Sequence, residues 1–238
     1  MTSWRENYLD RLNRSAASVE DIVGELSSIV SELGFEYCSY VLQTPFESGK
    51  PNTTWSSTYP RPWLEHYFAN NYLSIDTLIR RVVAAPSPIV WSDDVFQTER
   101  SFWEAARSHQ IRHGWGLATH GKYGTRAVLS LARSSEKVTE RELESTEGKL
   151  VWLAHSALGL LNATNTARFG SHAHVELTPR EREVLRWTSA GKTTQEIGII
   201  LGISERAVTF HVSNCLVKLN VANKTQAVST ATLLDLLF

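Results

Sequence analysis

The amino-acid sequence predicts an α+β chain: an N-terminal α/β/α sandwich, a linker, and a C-terminal all-α, four-helix helix-turn-helix unit. Three observations carry this. Over residues 1–165, segments with a helical apolar period stand at both ends of a run of short alternating segments, the order expected of helices flanking an antiparallel meander. Apolar periodicity is lost in NATNTARFGSHAHVE, where small and polar residues take over and a linker is expected, assigned to residues 166–176. Beyond residue 177 every apolar repeat is helical, and Gly202-Ile203 parts two of the helices with a tight turn.

The first clear helix is SVEDIVGELSSIVSELG: Val19, Ile22, Val23, Leu26, Ile29, Val30 and Leu33 share a face, with Ser18 as cap and Gly34 as stop. FEYCSYVLQ alternates as a strand, PFESGKPN is a loop, and Thr53 to Ser57 is a second strand. Pro62 is tolerated in a first turn and opens a helix through Asn70. A helix from about Thr77 to Ala84 stops at PSP, followed by the short strand IVW and the helix TERSFWEAARSHQ. GWGLATHG and AVLSLAR are strands joined by the turn GKYG. Thr139 and Glu142 form a capping box that starts a long helix to about Asn162.

In the C-terminal unit, Thr178-Pro179-Arg180-Glu181 is a capping box with proline at the first helical position; Val184, Leu185 and Trp187 form the apolar face and Gly191 closes the helix. Thr193 and Glu196 make a second box, on a helix expected to bury Ile197, Ile200 and Leu201. Ser204 caps a third helix whose inward stripe is Val208, Val212, Cys215, Leu216 and Leu219. Its outward face is then Arg206, Thr209, Phe210, Ser213 and Val217, small and polar as a surface entering a DNA major groove can be. Lys192, Lys218, Asn223 and Lys224 flank it as candidate phosphate contacts.

Bulk chemistry excludes several classes. No run approaches the roughly 18 apolar residues of a membrane span, and MTSWRENYLDR lacks the order of a secretory signal, so a cytoplasmic protein with no membrane partner is expected. Cys38 and Cys215 are far apart and in no metal-ligand spacing, and read as buried thiols. His172 and His174 form an HxH pair, but Val175-Glu176 follows where a metallohydrolase would continue Asp-His, so no metal or other cofactor is expected. There is no G-x-S-x-G elbow and no phosphate loop, and hence no catalysis is expected. Residues 1–165 carry 16 Lys and Arg against 19 Asp and Glu, and residues 170–238 carry 7 against 6. Polyanion binding must therefore come from local placement of charge.

TYPRPWLEHYFANNYLSID sets Tyr59, Trp63, Tyr67 and Tyr72 ahead of one carboxylate, Asp76. From Pro62, Trp63 and Tyr67 share a helix face. Either the rings are core and Asp76 caps the helix starting near Thr77, or the polar atoms meet a ligand bearing an amide N–H for Asp76 and carbonyls for Tyr59 and Trp63. A buried carboxylate without partners costs several kcal/mol, an order-of-magnitude figure, so one of these must hold.

LTPREREVLRWTSAGKTTQEIGIILGISERAVTFHVSNCLVKLNVANKTQAV resembles the LuxR-type helix-turn-helix, with Glu181, Leu185, Gly191, the segment EIG..L.IS and the K-L-N-V-x-N-K-T-x-A tail in place. YPxxWLxHYxxxNYxxxD, IVWSDD and FWEAARSHQIRHGW are similar to the autoinducer-binding domain of quorum-sensing LuxR receptors, and RHGW, GKYG and LSLARSSE to their QscR-like orphan branch. The resemblance implies an N-acyl-homoserine lactone receptor over residues 1–165 and a DNA-binding domain over residues 177–238. It also implies a homodimer on two-fold symmetric double-stranded promoter DNA, acting with RNA polymerase. By resemblance Trp63 donates to the lactone carbonyl, Asp76 accepts from the amide N–H, and Tyr59 with Ser130 holds the amide carbonyl. Ser39 is a further polar contact. Tyr67 and Trp91 wall the lactone and early chain, with Phe102, Trp103, Ile111, Ile79, Val83, Val41, Trp55 and Val128 around the rest. Thr209 and Ser213 occupy base-reading positions. Arg126 departs from the pattern: alternation puts it on the face of Val128 and Ser130, where an apolar residue is expected, with Gln43 as a second polar group. Two rivals remain: a regulator of the same build for a non-lactone metabolite, and a lactone hydrolase resting on the HxH pair alone.

Overall fold

The computed structural model describes residues 3–15, 18–44, 52–84, 87–121, 124–166 and 175–237. The chain divides into two compact units, the first made of residues 1–121 and 125–164, the second of the C-terminal residues from 165. The loop at residues 45–51, the tip of GKYG, residues 167–174 of the expected linker, and with them His172 and His174, lie outside the described residues.

In the first unit, β1 (Tyr37–Thr44), β2 (Asn52–Ser57), β3 (Ile89–Val90), β4 (His113–His120) and β5 (Arg126–Arg133) form one antiparallel sheet in the order β2-β1-β5-β4-β3. The two-residue side-chain period sends Cys38, Tyr40, Leu42, Trp115, Leu117, Leu129 and Leu131 to one face. There they bury against α1 (Trp4–Arg14), α2 (Val19–Glu32) and α6 (Glu140–Thr166). Val41, Val128 and Ala132 point the other way, into a separate core with α3 (Arg61–Ala69), α4 (Thr77–Ala84) and α5 (Arg100–Ser108). This is the α/β/α sandwich the sequence predicts.

Helix α1 is an addition. Only Tyr8 and Leu12 bury from WRENYLDRLNR, too few for a legible period, but Ser3 and Glu6 form a reciprocal capping box. Arg11 then ties α1 to Glu25 and Glu32 of α2 at 2.5 and 2.6 Å. The box expected at Thr139 is half made: the Glu142 amide donates to Thr139 Oγ1 at 3.3 Å, while the Glu142 carboxylate is held by Arg133 through two 2.7 Å bonds. Arg133 also donates to the carbonyls of Gly34, Glu136 and Lys137, so one buried guanidinium joins the end of β5, the exit of α2 and the start of α6. Helix α6 continues to Thr166, past Asn162, because Ala-Thr-Asn-Thr holds neither glycine nor proline to stop it.

The second unit contains α7 (Pro179–Ser189), α8 (Thr194–Leu201), α9 (Glu205–Leu219) and α10 (Lys224–Leu233). Both expected capping boxes form, at Thr178/Glu181 and Thr193/Glu196, and Ser204 and Asn223 cap α9 and α10. Gly202, at φ +65°, makes the turn between α8 and α9. Ile200 is a correction: it is 43% exposed, while Ile197 and Gly198 are buried. A Cβ on Gly198 would stand 2.8 Å from the Ile203 carbonyl, so α8 turns its glycine line inward and Ile200 outward. Trp187, expected on the α7 apolar face, stays 37% exposed.

Candidate functional site

The Asp76 carboxylate is held on both oxygens. Its Oδ1 accepts from the Leu78 and Ile79 amides at 2.9 and 3.3 Å, capping α4, and its Oδ2 accepts from the Tyr67 hydroxyl at 2.9 Å. Of the two arrangements left open by the sequence, the helix cap is present, and the acid also lines a cavity. An ionised carboxylate offers about four acceptor sites, so one is left for a further donor. Burial pushes the Asp76 carboxyl above its ordinary range; Tyr67, the two amides and the charge of Arg80 counter part of that rise.

Around the acid, Trp63 and Tyr67 project inward from α3 and are both buried. The Tyr59 hydroxyl meets Ser130 Oγ at 3.2 Å, and Ser130 pairs with Ser39 across β1 and β5. Ser39 Oγ accepts from the Trp55 indole at 3.0 Å. Tyr72 does not reach the acid; its hydroxyl lies 3.3 Å from His66 Nε2 and its ring packs on Trp63 and Phe102.

Two adjoining pockets share Tyr59, Trp63, Tyr67, Asp76, Leu78 and Ser130 as walls. The larger, about 590 Å³ including its solvent-open mouth, is otherwise lined by Ser39, Val41, Thr53, Trp55, Leu64, Phe68, Leu73, Ile79 and Val128. The other, about 340 Å³, is aromatic: Trp91, Phe96, Phe102, Trp103, Ala106 and Ile111 complete it. The polar atoms therefore stand at the waist between two apolar spaces. Fourteen of the fifteen expected ligand residues line one pocket or both. Val83 does not: Val82, at zero exposure, is the buried residue of that turn, because Leu78 and Val82 at i, i+4 face the sheet over Gly116.

Leu64, Phe68, Leu73, Thr53, Leu78, Phe96 and Ala106 are lining residues the sequence reading missed. Leu64 and Phe68 each follow directly on an inward aromatic of α3, so a wider inward arc would have found them. Phe96 stacks on Trp103 at 4.3 Å and 12°, a tertiary contact without sequence signal. The flanking glycines have a packing reason. A Cβ on Gly114 would lie 2.3 Å from the Leu131 carbonyl and 2.6 Å from the Trp91 ring.

In the second unit the α9 face is as expected: Arg206, Thr209, Phe210, Ser213 and Val217 are exposed, Phe210 by 61%. Thr209 Oγ1 donates to the Glu205 carbonyl at 2.9 Å, which leaves its methyl and lone pairs outward-available. Lys192 sits 3.9 Å from Glu196, an exposed and weak pair, and Lys224 is exposed at the start of α10. Asn223 uses its Oδ1 to accept from the Gln226 amide, leaving an amide donor. Lys218 differs from expectation: its ammonium contacts Glu181 Oε2 at 2.7 Å and donates to the Glu176 carbonyl at 3.1 Å. Burial alone would raise the Glu181 carboxyl, but Lys218 and the Thr178 amide outweigh it and hold the group below the usual range.

Residues 18–159 match the family model of the autoinducer binding domain, and residues 175–231 that of the luxR family of bacterial regulatory proteins. The chain is 36% identical over 242 residues to the transcriptional activator protein AnoR of Acinetobacter nosocomialis, covering 100% of both chains. A crystal structure of Escherichia coli SdiA superposes with a TM-score of 0.72 at 30% identity, over 99% of this chain and 98% of that one. SdiA in complex with octanoyl-rac-glycerol superposes at 0.69 with 29% identity, over 98% and 97%. No helix among the described residues is long and apolar enough to cross a membrane, and none of their His, Cys, Asp and Glu gather in threes as a metal site.

Proposed function

The chain belongs to the LuxR family of quorum-sensing transcription regulators, with an autoinducer-binding domain ahead of DNA-binding helices, and from that premise we propose that its signal is an N-acyl-homoserine lactone. The observation that carries this is the waist: a hydrogen-bond acceptor, Asp76, and donors at Trp63, Tyr59 and Ser130 stand between an aromatic pocket and a larger, mostly apolar one. A lactone ring fits the aromatic side against Trp91, Phe102, Trp103 and Ile111. The amide lies at the waist, its N–H on Asp76 and its carbonyl on Tyr59 and Ser130, while Trp63 donates to the ring carbonyl. The acyl tail runs into the larger pocket past Val41, Trp55 and Val128, beside Ser39. Tyr67 gains a second duty, orienting the acid.

Four net hydrogen bonds supply roughly 4 kcal/mol and fix the head group; each buried methylene adds about 0.8 kcal/mol. Ligand bound only to the folded state stabilises it by mass action, which links signal to the amount of functional regulator. The sensor is assigned to residues 1–165, the linker to 166–176 and the DNA-binding domain to 177–238, acting in the cytoplasm. Thr209, Phe210 and Ser213 face the bases, Arg206, Lys192, Asn223 and Lys224 the phosphates, and two copies bind a symmetric promoter site alongside RNA polymerase.

Thermal unfolding with lactones of graded acyl length tests the assignment. Stabilisation that grows with length, with intact lactone recovered after denaturation, is expected; no shift with any lactone overturns it. A second signal class follows from the SdiA complex with octanoyl-rac-glycerol: an acyl chain on a hydroxylated head, whose O–H can also serve Asp76. Competition between octanoyl-homoserine lactone and octanoylglycerol ranks the two.

A further inference from the structure

Along the pocket face of β2, β1 and β5 the side chains form successive rows. Ser39 and Ser130 make the row at the waist, Trp55, Val41 and Val128 the next, and Thr53, Gln43 and Arg126 the last. The larger pocket is lined by the first two rows and reaches the last at Thr53. The last row is a hydrogen-bonded chain: Arg126 Nε donates to Gln43 Oε1 at 2.7 Å, and Gln43 Nε2 to Thr53 Oγ1 at 3.5 Å. This accounts for the polar residue on an apolar face: Arg126 lies beyond the apolar row, exposed, with Gln43 as its partner.

Resting on the lactone reading, we infer that the Thr53–Gln43–Arg126 row sets the acyl length beyond which the affinity of this receptor stops rising. From waist to last row is four residues of strand, about 13 Å. Within that distance each methylene lies against Val41, Trp55 or Val128 and leaves water. A methylene laid on the last row meets a hydrated guanidinium and two amide or hydroxyl groups already bonded to each other, and gains no apolar contact. The row therefore ends the gain in affinity with chain length, without blocking the exit of a longer tail.

Affinities of the full chain for saturated acyl-homoserine lactones from butanoyl to tetradecanoyl test this, with wild type, Arg126→Leu and the double variant Arg126→Leu/Gln43→Leu. Wild type should gain roughly four-fold per methylene and then level off. The leucine variants extend the apolar strip, so their affinity should go on rising where wild type is flat, with short-chain affinity unchanged. Superimposable length profiles, or an equal loss at every length, overturn the inference while leaving the lactone assignment standing. Binding of no lactone by any of the three proteins overturns both.

Discussion

The Tyr67 hydroxyl and the Asp76 carboxylate meet at 2.9 Å across the two helices of the pocket wall, and the same carboxylate caps α4 through its other oxygen. The acceptor at the waist is thus fixed before any ligand arrives, which reduces the ordering cost of binding. Asp76→Asn separates its two duties. Asparagine caps helices as well as aspartate does, so the unliganded protein should unfold at an equal or higher temperature. Ligand affinity should fall by about 1.5–3 kcal/mol, the worth of a hydrogen bond to a charged group. Thermal shifts with and without octanoyl-homoserine lactone check this; an undiminished shift in Asp76→Asn would remove the acid from the head-group contacts.

The pH dependence has a definite sign. The folded Asp76 carboxyl titrates above its unfolded value, so between the two the folded state holds a proton the unfolded state has lost. Its contribution to unliganded stability is present at low pH and is lost as pH rises through the folded value. A ligand N–H needs the carboxylate, so lactone affinity should weaken as pH falls through that same value, and Asp76→Asn should flatten the profile. Calorimetric titration of both proteins from acidic to neutral pH tells them apart.

What the sequence made legible is what local chemistry controls. The α2 stripe, both C-terminal capping boxes, the Gly202 turn and the outward face of α9 follow from spacing and caps alone. Tyr59, Trp63 and Asp76 stood out within one short stretch as either core and cap or ligand contacts, whereas Ser130 entered only through resemblance, since a hydroxyl on a distant strand carries no spacing signal. Long-range competition hid the rest. Arg133 takes the Glu142 carboxylate that a local capping box would use, and Glu181 takes the Lys218 ammonium that a solvated helix would offer to DNA.

Gly114→Ala should destabilise the sensor by about 1–3 kcal/mol or more, since its Cβ meets a backbone carbonyl and the Trp91 ring, neither able to give way cheaply. Gly148→Ala, with open space around its Cβ in the middle of α6, should stabilise by up to about 1 kcal/mol through helix propensity. Urea unfolding measures both; equal effects would deny the close approach of Trp91 to β4.

On the DNA-binding face, Thr209 and Ser213 present short hydroxyls and Phe210 an exposed ring, chemistry suited to thymine methyls and single base-edge hydrogen bonds. Replacing Thr209 or Ser213 with alanine should change the base preferred at one position by about 1–3 kcal/mol and leave other positions alone. Selection from a randomised half-site library reads this out, and identical selected sites for parent and variants would exclude both residues.

Lys218 gives the sharpest contrast between a phosphate contact and a structural pair. Its ammonium bridges Glu181, whose carboxylate also accepts from the Thr178 amide at the start of α7, and the Glu176 carbonyl. Lys218→Met should therefore cost the C-terminal unit about 2 kcal/mol, the loss of a charge-assisted hydrogen bond. It should leave the salt dependence of DNA binding unchanged. Lys224→Ala should do the reverse, keeping stability and lowering the slope of log affinity against log salt by about one. Because the folded Glu181 carboxyl titrates below its unfolded value, its stabilising contribution is present above the unfolded value and is lost as pH falls through the folded one. Removing Lys218 moves that loss to higher pH. A Lys218→Met protein of parental stability with a reduced salt slope would instead make the lysine a phosphate contact.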